Sequence, residues 1–226
     1  RHVAQGLMEL GHHKGDAVAI MAHTRFEWLL ADLGCLAAQG ITIGVYATMT
    51  ADQARYVIDH GDVRFVFAED REQLEKLRKA KDRLARVEKI IVFDVTGVKL
   101  SDSVIAFDDL LARGRESSQD VDERVDAISL ADPALFIYTS GTPGPPKGAV
   151  LTHGNIVAAL GMLDAVPTFA DDTGLCFLPL SHSLQRIVSY HALWHGIEGR
   201  FARSLDTLAE DLLACAPTFV AAVPRI

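Results

Sequence analysis

Residues 138–148 read YTSGTPGPPKG, a run that concentrates hydroxyl side chains, glycines and prolines around a single lysine. The hydroxyls of Thr139, Ser140 and Thr142 can donate hydrogen bonds to phosphate oxygens. Glycines at 141, 144 and 148 carry no Cβ, so main-chain N–H groups can come close to a ligand. Lys147 adds a compact positive charge. Each hydrogen bond to a charged group contributes about 1.5–3 kcal/mol, so three or four suffice to hold a triphosphate. The spacing is not that of a Walker A loop, G-x-x-x-x-G-K-[ST], because Lys147 follows Pro146 and precedes Gly148. A phosphotransferase built on that loop is therefore disfavoured.

A second chemical stretch, LCFLPLSHSLQRIVSYHALWHG, spans residues 175–196. His182 falls at the start of a helical pattern whose apolar positions Leu184, Ile187, Val188 and Leu193 are expected to face inward. A helix N-terminus disfavours an imidazolium, and a neutral imidazole can hydrogen-bond an anionic oxygen. His191 and His195 stand four apart, a spacing compatible with zinc. The sequence HALWH lacks the glutamate of a zincin, however, and offers no third ligand nearby, so no metal is expected there. The acid pairs Asp108/Asp109 and Asp171/Asp172 read as capping and solvated groups rather than paired acid–base catalysts.

The elements that must position these residues alternate. AVAIMAH reads as a strand, followed by a helix over about 25–38, the strand ITIGVY, a helix over 51–60, the strand VRFVFA, a long charged helix over about 70–87 and the strand KIIVFD. Residues 95–132 are richer in Ser, Asp, Gly and Arg and read as a connection with one short helix near 107–113. Alternation then resumes with ALFIYT, the Gly/Pro loop, GAVLTH, a helix over 155–165, GLCFLPL, a helix over 183–195, a short strand near Phe201, a helix over 205–214 and TFVAAV. This rhythm predicts an α/β fold of two doubly wound βαβ subdomains packed together. They divide into residues 1–125 and a phosphate-binding subdomain at 126–226.

The 226 residues are 49% apolar with a formal net charge of −8, the profile of a cored globular protein. No basic block is free of interspersed acids, which argues against nucleic acid and anionic membrane as principal partners. Cys35, Cys176 and Cys215 are odd in number and widely spaced, suggesting a reducing, cytoplasmic setting. No transmembrane segment or signal peptide is expected. The chain opens at Arg1 directly into an amphipathic pattern and stops at AAVPRI after an apolar run, so it is expected to be a piece of a longer polypeptide.

The loop resembles the phosphate-binding signature of the adenylate-forming superfamily, Y-T-S-G-[ST]-T-G-x-P-K-G, with Pro143 where the family usually has threonine. The stretch LPLSH, followed by Gln185 and Arg186, resembles the L-P-L-[AS]-H segment of long-chain fatty acyl-CoA synthetases. VYATMT resembles their V-Y-P-T-S-S segment. The resemblance implies two half-reactions, in which a fatty-acid carboxylate attacks the α-phosphorus of Mg-ATP and a thiol, usually coenzyme A, then displaces AMP. It assigns phosphate binding to Tyr138, Thr139, Ser140, Gly141, Thr142, Gly144, Lys147 and Gly148, with Thr142 also toward Mg2+. It places His182 and Arg186 at the acyl carboxylate and has their helix line the acyl pocket. Peripheral membrane association is compatible with such a substrate. The family's adenine-binding Y-G-x-T-E segment, ribose aspartate, hinge and C-terminal domain with its lysine are expected beyond Ile226, so this piece alone is not expected to turn over. Two alternatives are a non-catalytic nucleotide- or acyl-binding module and a ligase of the same superfamily acting on another carboxylic acid or carrier thiol.

Overall fold

The computed structural model describes residues 1–80, 84–139, 145–169 and 171–223. Its centre is a seven-stranded sheet in the order β5-β4-β3-β1-β2-β6-β7. The strands are β1 (Ala17–Met21), β2 (Ile41–Val45), β3 (Val63–Ala68), β4 (Lys89–Val92), β5 (Val104–Ala106), β6 (Pro133–Thr139) and β7 (Lys147–Thr152). All neighbours pair in parallel except β6 and β7, which form an antiparallel hairpin. A second, two-stranded parallel sheet consists of β8 (Thr173–Cys176) and β9 (Glu198–Phe201).

Every residue of β1 and β2 is buried, as expected where helices cover both faces of a parallel sheet. Successive side chains alternate between the faces. Ala17, Ala19 and Met21 pack with Val57 and Ile58 of α3 (Ala51–His60) and with Leu74 and Leu77 of α4 (Arg71–Lys79). Val18 and Ile20 pack on the other face with α1 (His2–Glu9), α2 (Phe26–Ala37) and α5 (Phe107–Glu116). A third cluster brings Leu29 and Leu36 of α2 against Leu135 and Ile137 of β6, Ile156 of α7 (His153–Leu163) and Tyr190 of α8 (Ser183–Trp194).

The sheet runs on past residue 126, because β6 pairs with β2. The expected alternation is present, with three differences of detail. Residues 95–132 contribute β5, α5 and also α6 (Val121–Asp126) rather than one helix. The charged helix ends at Lys79, well before Val87. The chain must leave the helix to enter β4, where Glu88 donates its N–H to the Arg64 carbonyl at 2.8 Å, and Leu84 reaches the core from the intervening segment. Finally, TFVAAV forms a single bridge, Phe219 to Gly174, rather than a strand, and follows α9 (Leu208–Cys215).

Candidate functional site

Parallel pairing places the ends of β1, β2 and β6 on one edge of the sheet, the carboxyl edge where open α/β folds bind ligands. The Gly/Pro hairpin grows from this edge. Tyr138 stands opposite Gly148 and Thr139 opposite Lys147. Thr139 and Lys147 are both exposed, so a hydroxyl and an ammonium face each other where the strands open into the loop. Ser140, Gly141, Thr142 and Gly144 lie outside the described residues.

The base of the hairpin is held from α3. His60 Nδ1 lies 2.8 Å from the Tyr138 hydroxyl, and the Tyr56 hydroxyl donates to the Pro146 carbonyl at 3.0 Å. Tyr56 and His60 are one turn apart and stacked, with ring centroids 5.5 Å apart. Burial pushes the Tyr138 hydroxyl up to about 12, so it remains a neutral hydrogen-bonding group. Gly148 packs closely on Tyr138: a Cβ there would stand 3.1 Å from the ring. Tyr138 and Gly148 pack at the base of the hairpin, while Thr139 and Lys147 are exposed. Tyr56 and His60 were missed by sequence reasoning; their i,i+4 spacing on α3, just after VYATMT, was the available signal.

The LPLSH segment meets the same edge. β8 ends at Cys176, short of the expected strand through Leu180, because the following residues make a turn clamped by Thr24, just beyond β1. The Thr24 hydroxyl donates to the Leu178 carbonyl at 2.7 Å and accepts from the Leu180 N–H at 3.1 Å. Gly44 of β2 admits the turn: a Cβ there would lie 2.6 Å from Ser181 Cα. The turn delivers His182 to the N-cap of α8, exposed, with Nδ1 accepting from the Leu184 N–H at 3.3 Å. A neutral His182 ring in this arrangement carries its proton on Nε2 and can donate it to an oxyanion.

Arg186, expected at a substrate carboxylate, lies in the interior of the fold. It is fully buried, its guanidinium 4.5 Å from the Trp28 ring centroid and its Nε 3.5 Å from Asp32 Oδ2. Nε also donates to the Leu180 carbonyl at 3.2 Å, tying α8 back to the LPLSH turn. Asp32 accepts from Thr42 at 2.7 Å and from Tyr190 through a short hydrogen bond. Burial, aided by the Asp32 charge, pushes the Tyr190 hydroxyl well above the usual phenol range. The face that α8 turns inward is accordingly polar, comprising Gln185, Arg186, Ser189, Tyr190 and His191, whereas Leu184, Ile187 and Val188 are half-buried and Leu193 is exposed. The apolar stripe expected inward lies elsewhere because Asp32 and Trp28 of α2 supply charge and ring partners for the polar one.

Beyond His182, α8 borders an apolar cavity of about 350 Å³ whose lining includes Leu163, Val166, Phe169, Val188 and Phe219. Asp172 accepts from the Phe169 N–H and the Thr218 hydroxyl at 2.7 Å each, tying the turn before β8 to the segment after α9. No helix among the described residues is long and apolar enough to cross a membrane.

The fold and this edge define an α/β protein with a β6–β7 hairpin that exposes Thr139 and Lys147 and a histidine-capped helix at the carboxyl ends of a mostly parallel sheet. The profile of the AMP-binding enzyme family matches residues 1–226, and the chain belongs to that family. The long-chain-fatty-acid–CoA ligase FadD15 of Mycobacterium bovis is 32% identical over 230 residues, an alignment covering 100% of this chain and 37% of the relative. The human long-chain-fatty-acid–CoA ligase ACSBG2 is 30% identical over 233 residues, covering 100% of this chain and 35% of the relative. The chain thus spans about a third of the length of these relatives. In structure it superimposes with a TM-score of 0.81 on the adenylation domain of a carboxylate reductase from Mycobacterium chelonae, at 23% identity, covering 97% of this chain and 36% of that one. Coronafacic acid ligase from Pectobacterium brasiliense gives a TM-score of 0.81 at 17% identity, covering 97% and 42%. These structural likenesses agree with the α/β architecture of the N-terminal domain of adenylate-forming enzymes.

Proposed function

We propose that this chain is the phosphate-binding part of an ATP-dependent fatty-acid:CoA ligase. The observation that carries the reading is the pairing of exposed Thr139 and Lys147 at the mouth of the hairpin, on the same sheet edge as the turn that presents His182. The hairpin holds the β- and γ-phosphates with hydroxyls, main-chain N–H groups and Lys147, neutralising charge on the leaving pyrophosphate. Mg2+ bound with the triphosphate would screen its charge, and the Thr142 hydroxyl would offer it an oxygen ligand. His182 Nε2 donates to an oxygen of the acyl carboxylate or adenylate. The acyl chain runs beside α8 toward the cavity at Val188, six residues or about 9 Å along the helix. The cavity's size and apolar lining suit such a ligand.

In the first half-reaction a carboxylate oxygen forms a bond to the α-phosphorus and the bond to pyrophosphate breaks. In the second, the sulfur of coenzyme A bonds to the acyl carbon and AMP leaves. Positioning and charge stabilisation supply the catalysis. The test is fatty-acid-dependent exchange of labelled pyrophosphate into ATP by the complete polypeptide that carries these residues. Exchange is expected with a fatty acid and not without one; its absence with short, medium and long acids overturns the assignment. Exchange with a different carboxylic acid, or acyl transfer only to a carrier-protein thiol, would redirect the substrate while keeping the chemistry.

A further inference from the structure

We propose that Asp164, His191 and His195 form a binding site for a divalent transition-metal ion of the zinc class. The two histidines lie one turn apart on the same face of α8, with ring centroids 4.3 Å apart. The third ligand, absent from the local sequence, comes from the C-cap of α7. Asp164 Oδ1 is 3.2 Å from His191 Nε2 and 3.0 Å from His195 Nε2. All three donor atoms lie within 4.8 Å of one another. A tetrahedral zinc ion with bonds of about 2.0–2.1 Å separates its ligand atoms by roughly 3.4 Å, so the two Asp164–histidine separations need to widen by only a few tenths of an ångström. A donor set of two imidazoles and a carboxylate suits zinc and its neighbours better than calcium or magnesium, which take oxygen ligands.

The site is asymmetric in a way that favours binding. His191 is buried with 7% of its side chain exposed, which fixes one ring, whereas His195 and Asp164 are 35% and 53% exposed and leave an entry path and a fourth position for water. Both Nε2 atoms already converge on a single carboxylate oxygen, which brings the three donors together around one point. A bound ion would tie the end of α7 to α8 where Leu163 and His191 line the apolar cavity.

The test is titration of the chelator-stripped complete polypeptide with Zn2+ by calorimetry, and with Co2+ by visible absorption. One saturable equivalent of Zn2+ and the intense d–d bands of tetrahedral Co2+ are expected. The exposed-site variants His195→Ala and Asp164→Asn should each weaken binding at least tenfold. The double variant His191→Ala/His195→Ala should abolish the Co2+ bands, with circular dichroism reporting that the fold is retained. Absence of saturable uptake, or uptake whose affinity changes less than tenfold in His195→Ala and Asp164→Asn, overturns the proposal. The second result would place the ion elsewhere.

Discussion

Replacing Asp32 by alanine removes the group on which α8 is hung. In the folded chain Asp32 is fully buried, accepts from Thr42 and Tyr190, and stands 3.5 Å from the buried Arg186 guanidinium. Without it, one buried cation loses its counter-charge and two buried hydroxyls lose their acceptor. Breaking one side of a buried ion pair costs about 3–5 kcal/mol, a large share of a total stability of about 5–15 kcal/mol. Arg186→Met, which leaves Asp32 buried without its cation, should cost a similar amount. Because each single change strands the other partner, the double variant should be less destabilised than the sum of the two by about 2 kcal/mol. Urea denaturation followed by far-UV circular dichroism measures this. With a slope of about 3 kcal/mol/M for a chain of this size, the Asp32→Ala midpoint should fall by about 1 M or more. Trp28, against which Arg186 stacks, adds a local readout through its fluorescence. An Asp32→Ala midpoint within about 0.3 M of the parent, or strictly additive single changes, would refute the reasoning that this network holds α8 in place.

Further predictions concern the same edge and the core behind it. Gly44→Ala should destabilise by about 1–3 kcal/mol and increase hydrogen exchange over residues 178–182, because the new Cβ meets Ser181 Cα at 2.6 Å. Unchanged exchange there would separate Gly44 from the LPLSH turn. Lys147→Ala should weaken nucleotide binding roughly ten- to a hundredfold, the loss of one charge-assisted hydrogen bond, while Pro143→Thr should strengthen it by restoring a hydroxyl and an N–H. Equilibrium titration with a fluorescent ATP analogue decides both. His12 is buried with neither ring nitrogen hydrogen-bonded among the described residues, and burial lowers it to about 4. The unfolded chain binds this proton near pH 6.5 and the folded chain does not, so the stabilisation is complete above 6.5. About 3 kcal/mol is lost as pH falls from 6.5 to 4. Urea midpoints measured across that range should fall less steeply in His12→Leu.

What the sequence made legible is what depends on local pattern. β1, β2 and β3 announced themselves because strands buried on both faces are continuous apolar runs, and a loop between two strands because Gly and Pro interrupt ALFIYT and GAVLTH, although their antiparallel pairing did not. His182 was placed correctly at the start of α8 by the break after LPLS. The polar inward face of α8 was not legible, since Arg186 and Tyr190 are tolerable inside only because Asp32, more than 150 positions earlier, is there to meet them. Asp164 likewise joins His191 and His195 only through the packing of α7 on α8. The anchoring of Tyr138 by His60 also joins distant segments. β5 is three residues long, too short for any period to register. The shortening of α4 follows from the sheet register of Glu88, a tertiary demand that overrides helix propensity in the charged run.

If the hairpin at 138–148 wraps the polyphosphate of ATP, hydrogen–deuterium exchange with and without Mg-ATP will register it on those residues. Nucleotide should slow exchange across residues 138–148 in the complete polypeptide, and Lys147→Ala should reduce that protection. Saturating ATP that protects another segment while leaving 138–148 unchanged would contradict the account.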